Sequence, residues 1–303
     1  MEAWLIYYRV QAEYNRQYIK FYQEEGTKLG IQVKLLLMED LEFGVQNNVW
    51  FIRYQNQQIK YPDFAVCRAI YPLLNRQLEY LGIRVFNNSF VAEICNDKAR
   101  TFQYLAKTGI KMVDTGFYRN NQIGTILAKT QKPSVIKAVD GHGGSQVFLY
   151  DTDKKVKVAS IHQIGEANSK EQNIIKGIGS SDIIIQPLVG KKHQDLRVYV
   201  IGEKIIASVL RTAREGFKAN FSLGGEVCLY ELSDREKVIV NKIIEQFEFG
   251  LVGIDFIIGE EGELIFNEIE DVVGARMLYH CSNINIVRKY LEFIIETITS
   301  KKI

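Results

Sequence analysis

The apolar and polar positions divide the chain into segments of different character. Residues 3–10 are apolar and aromatic and predict a strand; an amphipathic stretch from about Asn15 to Leu29 predicts a helix ending at Gly30; Ile31 to Met38 predicts a second strand. Strand, helix, strand at this spacing is the pattern of a parallel βαβ unit. Strands over Pro62–Cys67 and Ile83–Phe86 flank a helix over Tyr71–Tyr80, so residues 1–95 read as a small α/β domain without a glycine-rich phosphate loop. Asn96-Asp97-Lys98 then opens a helix with Ala99, Phe102, Leu105 and Ala106 on one stripe and Gly109 as its stop.

Beyond this point the pattern turns to strands. Ser134–Val139 and Gln146–Tyr150 flank Asp140-Gly141-His142-Gly143-Gly144-Ser145 and predict a β-hairpin with a glycine-rich tip. Ile183–Leu188, Arg197–Ile201 and Lys204–Leu210 predict further strands of an antiparallel sheet. Ser233-Asp234-Arg235-Glu236 is a capping box that starts a helix running to about Phe249, and a last helix covers about Asn283 to Thr299.

The segment from Leu251 to Glu270 reads as two strands joined by a tight turn. Its first strand is apolar on both faces, as a buried strand is, yet contains Asp255. Glu268 and Glu270, two apart, share a face. A turn centred on Glu260-Glu261, with Gly259 opposite Gly262, places Asp255 across from Phe266 on that same face, so three acids converge. Solvated acids on an exposed edge are the alternative, but the apolar neighbours of Asp255 argue for burial, and a buried acid needs a partner. Converging carboxylates repel one another unless a hard cation sits among them, which points to magnesium, with manganese as the substitute.

Composition narrows the function classes. The chain has 303 residues, 47% hydrophobic, enough for a packed core in two or three substructures. Thirty-eight basic against thirty-six acidic residues leave no global field to recruit nucleic acid or membrane. The N-terminus lacks a signal-peptide pattern and no apolar run reaches membrane-spanning length, so the expectation is a cytoplasmic protein acting on small molecules or peptides. Cys67, Cys95, Cys228 and Cys281 lie far apart and read as buried thiols, and His162, His193 and His280 show no metal spacing.

The loop Gly141-His142-Gly143-Gly144-Ser145 can bring bare amides close to a phosphate, although a mobile turn has the same composition; it is neither a Walker A loop nor a Rossmann fingerprint. Lys137 shifts the balance. It lies on the strand entering the loop, among apolar neighbours, where burying its charge calls for an anion such as phosphate. Arg211, Arg214, Lys218 and Asn220 follow the next strands and bring cations toward the acid face, as phosphoryl transfer requires, although each taken singly also fits a solvated loop with surface salt bridges.

Taken in order, these motifs resemble those of RimK-type ATP-grasp ligases: Asn96-Asp97-Lys98; Val135-Ile136-Lys137 before the glycine loop; Ile185-Gln186-Pro187-Leu188; Asp195-Leu196-Arg197; Phe217-Lys218-Ala219-Asn220 with Gly224-Gly225; and Gly253-Ile254-Asp255 with Asn267-Glu268-Ile269-Glu270. The resemblance covers nearly the whole chain. It implies an α/β (α+β) ATP-grasp fold with a preATP-grasp domain over 1–95, a central subdomain over 96–188 and a metal-bearing C-terminal subdomain over 189–303. Lys98 and Lys137 would contact the phosphates of ATP, residues 141–145 would close over them, Gln186, Pro187 and Leu188 would form the adenine hinge, and Asp195 would face the ribose. Asp255, Glu268 and Glu270 would hold magnesium. Arg211 would stabilise the acylphosphate and the tetrahedral intermediate, with Lys218 and Asn220 near the transferred phosphate. Arg68 and Arg276 are the candidates for holding a carboxylate substrate, since guanidinium binds carboxylate bidentately.

This sequence departs from the family pattern at three places: Pro187 stands where glutamate is frequent, Glu270 where asparagine is usual, and Asp271–Arg276 lacks the common small-residue and proline turn. The activity implied is ADP-forming ligation of a carboxylate to an amine through an acylphosphate, joining an amino acid to a peptide or small metabolite; the sequence does not give the oligomeric state, although similar proteins are commonly homo-oligomers, dimers or tetramers. Two alternatives stay open: a ligase that forms side-chain crosslinks in a precursor peptide, and a non-catalytic ATP-binding regulator.

Overall fold

The computed structural model of the chain describes residues 1–150, 170–190, 194–213 and 226–300. Strand β1 (Glu2–Tyr7) leads through helices α1 (Arg9–Tyr14) and α2 (Arg16–Lys28) to β2 (Gln32–Leu37). The single helix expected over 15–29 is therefore a pair. Asn15 separates them with φ −106° and ψ 22°, and its side-chain amide donates to the Gln11 carbonyl at 2.8 Å, which ends the first helix locally. The strand expected over 3–10 stops at Tyr7 for the same reason, because α1 begins at Arg9.

Next come β3 (Leu41–Gln46), β4 (Val49–Tyr54) and β5 (Gln57–Gln58), a small antiparallel sheet that the sequence pattern did not predict. Its turns are Asn47-Asn48 and Gln55-Asn56, all four with positive φ, as type I′ hairpins require. Then β6 (Phe64–Cys67), α3 (Pro72–Tyr80) and β7 (Arg84–Phe86) complete a parallel sheet of order β2-β1-β6-β7. The chain leaves β1 toward one side and returns to β6 on the other, so a topological switch point lies at the C-terminal ends of β1 and β6.

Helices α4 (Ser89–Cys95) and α5 (Lys98–Leu105) follow. The Asp97 side chain caps α5 by accepting from the Arg100 amide at 3.0 Å, and Gly109 ends the segment in the left-handed conformation. An antiparallel sheet is then built from β8 (Gly116–Tyr118), β9 (Ser134–Ala138), β10 (Val147–Tyr150) and β11 (Ile183–Pro187), with α6 (Ile123–Lys129) and α7 (Lys170–Ile178) packed on it; the order is β10-β9-β11-β8. The expected hairpin is present, with Val147 opposite Lys137.

The last part is a five-stranded antiparallel sheet, order β14-β13-β12-β15-β16, from β12 (Gln194–Ile201), β13 (Lys204–Thr212), β14 (Glu226–Leu229), β15 (Leu251–Ile258) and β16 (Leu264–Glu270). Helix α8 (Asp234–Ile244) starts from the expected capping box at Ser233, and α9 (Arg276–Cys281) and α10 (Ile286–Ser300) close the chain. One apolar cluster joins Leu5 and Tyr7 of the first sheet, Tyr22 of α2, Tyr199 and Leu251 of the last sheet and Leu291 of α10. Among the described residues, no helix is long and apolar enough to cross a membrane.

The β15–β16 hairpin differs from the expected register in a way that matters for the acids. Its turn does centre on Glu260-Glu261, closed by the Gly262 amide donating to the Gly259 carbonyl at 3.2 Å, but Gly262 takes φ +87° and Gly259 pairs with Glu263 instead. This adds one residue to the second strand. A bulge adds another: Phe256 pairs with Phe266, and Asp255 pairs with Glu268, so Asn267 is extra. Two single-residue shifts restore the parity. Asp255 therefore lies across from Glu268, and Phe266, expected on the acid face, instead points into the core, fully buried with Phe102 and Phe256.

Candidate active site

A cleft of about 610 Å³ opens between the first sheet, the glycine loop and the last sheet, a size suited to a nucleotide and part of a substrate. Its floor is the acid face of β12, β13, β15 and β16. Antiparallel pairing sets Arg197 directly opposite Asp255, Asp195 opposite Arg211, and Glu268 opposite Asp255 on the other side. Residues paired across strands share a face, so the alternation of four strands assembles the cluster.

Oxygen atoms of Asp255, Glu268 and Glu270 lie within 4.8 Å of one another, as sequence reasoning anticipated. Asp255 is almost wholly buried. It receives Arg197 Nε at 2.7 Å and Nη2 at 2.6 Å, and Arg211 Nη2 at 2.7 Å. Burial pushes its carboxyl up, but the two guanidiniums outweigh that and hold it at about 2. Arg197 also reaches Glu270 at 2.7 Å. Burial leaves Glu270 above the usual carboxylate range despite Arg197, with the neighbouring acids adding to the rise. Glu268 is also desolvated, yet it lies below that range, because the charges of Lys98, 3.5 Å away, Lys137 and Arg197 together outweigh the desolvation and the repulsion of Asp255.

Three of the acceptor positions of Asp255 are thus filled by arginine, while Glu268 and Glu270 keep carboxylate surface open to the cleft. An oxygen-rich trio of this spacing fits a hard divalent cation held mainly by the two glutamates, with the remaining lone pair of Asp255.

Facing the acids is a wall of lysines and the glycine-rich loop. Lys98 Nζ donates to the Gly141 carbonyl, tying the first residue of the loop to the start of α5. Lys137 Nζ donates to Asn267 Oδ1 at 2.7 Å. Burial, then the like charge of Lys98, bring Lys137 down to about 8 against the pull of Glu268. Gly141, His142, Gly143 and Gly144 line the cleft, and Gly143 and Gly144 have positive φ. Ser145 is exposed, its hydroxyl donating to the His142 carbonyl at 3.2 Å.

The expected hinge residues Gln186, Pro187 and Leu188 line the same cleft. Gln186 is buried and donates to Thr115 Oγ1 at 2.9 Å, whereas Leu188 is 41% exposed. Asp195 also lines the cleft, but its carboxylate accepts from Arg211 Nε; burial raises it to about 6 against that arginine. Arg68 is buried at the cleft's far end, and Arg276 is exposed at its rim, donating to Tyr14 Oη at 2.6 Å. The two arginines are not brought together on one group. Lys218 and Asn220, like Arg214, His162 and His193, lie outside the described residues.

Two site residues had been given no role from sequence. Arg197 could have been found by pairing Asp195-Leu196-Arg197 against the strand of Asp255. Asn267 could not, because only the bulge turns it toward Lys137.

With this geometry in place, likeness to known proteins is informative. The RimK-like ATP-grasp domain model matches residues 95–294. A probable alpha-L-glutamate ligase of Legionella pneumophila (strain Corby) is 30% identical over 223 residues, 72% of this chain and 69% of that protein. Among solved structures, the RimK domain protein ATP-grasp from Sphaerobacter thermophilus superposes with TM-score 0.68 at 16% identity, covering 97% of this chain and 99% of its own. The ATP-grasp ligase PsnB, complexed with a phosphomimetic variant of its minimal precursor, Mg and ADP, gives TM-score 0.66 at 15% identity, covering 97% and 98%.

Proposed function

The chain belongs to the RimK-like ATP-grasp family, and on that premise we propose that it is an ADP-forming ligase that joins a carboxylate to an amine through an acylphosphate. The observation that carries this reading is the opposition, across one cleft, of Lys98 and Lys137 to the converging Asp255, Glu268 and Glu270. Cations on one wall and a divalent-metal ligand set on the other are what a nucleotide triphosphate needs. Residues 1–95, 96–188 and 189–303 are its preATP-grasp domain and the two halves of the grasp, in a cytoplasmic homo-oligomer.

In this reading Lys98 and Lys137 orient the phosphates under the 141–145 loop, and the Gln186–Leu188 segment borders the base. Pro187 has no amide hydrogen, so donation to adenine falls to neighbouring backbone. A substrate carboxylate oxygen attacks the terminal phosphorus, the bond from that phosphorus to the ADP oxygen breaks, and an acylphosphate forms. The amine nitrogen then attacks the acyl carbon, the C–N bond forms, the C–O bond to phosphate breaks, and the nitrogen releases its proton. Arg211, fixed by Asp195 and Asp255, supplies a preorganised positive charge for the developing oxyanion. Lys218 and Asn220 are assigned to the transferred phosphate by the family pattern. A magnesium ion, held by Glu268, Glu270 and Asp255, supplies neutralisation of phosphate charge when bound.

The test is ADP release with ATP and magnesium across a panel of carboxylates and amines that includes peptides, with mass spectrometry of the products. A condensation product with stoichiometric ADP is expected. Tight ATP binding with no ADP under any pairing would replace this reading with the regulatory one.

A further inference from the structure

At the end of the cleft away from the lysines lies a polar group that the phosphoryl chemistry does not use. Tyr7 is the last residue of β1 and Arg68 follows β6 directly, so both stand at the switch point of the parallel sheet, where open α/β sheets form a crevice. Tyr18, from α2, completes the wall, and all three residues line the cleft. Tyr7 and Arg68 are more than nine-tenths buried.

Among the described residues, the hydroxyls of Tyr7 and Tyr18, that of Tyr22 behind them, and Arg68 Nε make no hydrogen bond of good geometry, although Tyr22 neighbours Tyr18 and Tyr7 neighbours Arg68. The guanidinium lies over the Tyr18 ring at 5.2 Å and is anchored by Nη2 donating to the Val273 carbonyl at 3.0 Å and the Val272 carbonyl at 3.4 Å. Burial pushes the Tyr18 and Tyr22 hydroxyls up, which keeps them protonated and able to donate. Asp271, which feels the charge of Arg68, already gives its oxygens to Asn87 and Asn96. Among the described residues the chamber is therefore rich in donors without a well-formed bond and holds a buried cation with no carboxylate paired to it, a combination that is costly until an anionic acceptor enters.

We propose that the chamber of Tyr7, Tyr18 and Arg68 is the subsite for the free carboxylate of the amine substrate, supplied by an α-amino acid or by a peptide C-terminus. This rests on the ligase reading above and begins to define its substrate. Lys98 and Lys137 stand with Glu268 and Asn267, whereas Arg68 is anchored past the end of the acid strand; a carboxylate seated on Arg68 is a binding handle and not the group that is phosphorylated. Because the anchoring carbonyls follow Glu270 by two and three residues, the rest of the ligand extends toward the acid cluster.

The experiment measures binding of L-alanine, L-glutamate and glycylglycine, each against its C-terminal amide, by calorimetry on the full chain without nucleotide, so that the readout is independent of turnover. At least one free acid is expected to bind about tenfold or more tighter than its amide, as a lost charge-assisted hydrogen bond implies. Which acid binds distinguishes an amino acid from a peptide end. Tyr18→Phe keeps the ring and is expected to weaken acid binding about tenfold while leaving the thermal midpoint unchanged or higher and ATP-analogue affinity unchanged. Arg68→Gln is expected to abolish the preference for acid over amide. Equal binding of acid and amide, no binding of any acid, or parent-like binding by Tyr18→Phe would each overturn the proposal. Failure of the ligase reading alone would leave carboxylate binding intact without ADP formation.

Discussion

Glu268 is ion-paired with Lys98 on the cationic side of the cleft and keeps part of its carboxylate open, so its charge is the one whose loss bears most directly on a bound metal and least on the fold. Glu268→Gln is expected to lower turnover at least about a hundredfold with little change in thermal midpoint, because the amide is isosteric but cannot neutralise the ion. Activity equal to the parent would remove Glu268 from the metal site. Lys137 gives a second handle. Its folded-state pKa of about 8 lies below the usual lysine value, through burial first and the charge of Lys98 second. The penalty of a charged Lys137 is thus present below pH 8 and is relieved as pH rises through that value toward the unfolded pKa. A nucleotide phosphate favours the charged form, so binding is expected to take up a proton at pH 9 and none through this group at pH 7. Calorimetry of ATP-analogue binding in two buffers of different ionisation enthalpy reads that uptake; identical heats at pH 9 would rule it out. Lys137 was legible in the sequence because a lysine inside an apolar strand is improbable without a partner. The partner it has here, Asn267, was not.

The decisive element is the β15–β16 hairpin. Its existence, its turn and the shared side of Asp255, Glu268 and Glu270 followed from period-two alternation and a glycine-flanked turn. Its register did not, because a bulge is a single unpaired residue with no composition of its own. Asn267→Ala keeps the extra residue and removes only the bond to Lys137, so a cost of about 1 kcal/mol is expected. Deleting Asn267 also removes the extra residue, so Phe266 and Glu268 become successive positions of a regular strand; ordinary alternation keeps Phe266 in the core and Glu268 and Glu270 on the face of Asp255, and the urea transition is expected to stay cooperative. Loss of the cooperative transition in the deletion variant would show that Asn267 does more than fill the bulge. The β3–β5 sheet escaped prediction for a related reason. Its strands are half-exposed and mixed in pattern, although paired asparagines at 47–48 were a turn signal that could have been weighted more.

Across the whole molecule, the amino-terminal sheet and the carboxy-terminal sheet share an apolar cluster and a buried polar junction at Asn87. Asn87 donates to the Leu251 carbonyl at 2.9 Å and to Asp271, and accepts from the Gly250 amide. Asn87→Ala leaves those groups unpaired in the interior, and a loss of about 2–4 kcal/mol is expected. Both tryptophans, Trp4 and Trp50, lie in the amino-terminal part, so tryptophan fluorescence reports that part and far-ultraviolet circular dichroism the whole chain. The two are expected to give one coincident denaturant transition; separated midpoints would show that the shared core does not couple the parts. Alternation and spacing along the chain were enough to determine the α/β (α+β) class, the order of phosphate-binding and acidic motifs, and the need of Asp255 and Lys137 for partners, since these depend on local periodicity and on the cost of burying charge. Tertiary structure alone decided which partners they found. It took strand pairing to set Arg197 against Asp255, a bulge to turn Asn267 toward Lys137, and a sheet switch point to gather Tyr7, Tyr18 and Arg68 from distant segments, because register and packing depend on contacts between residues that no local pattern relates.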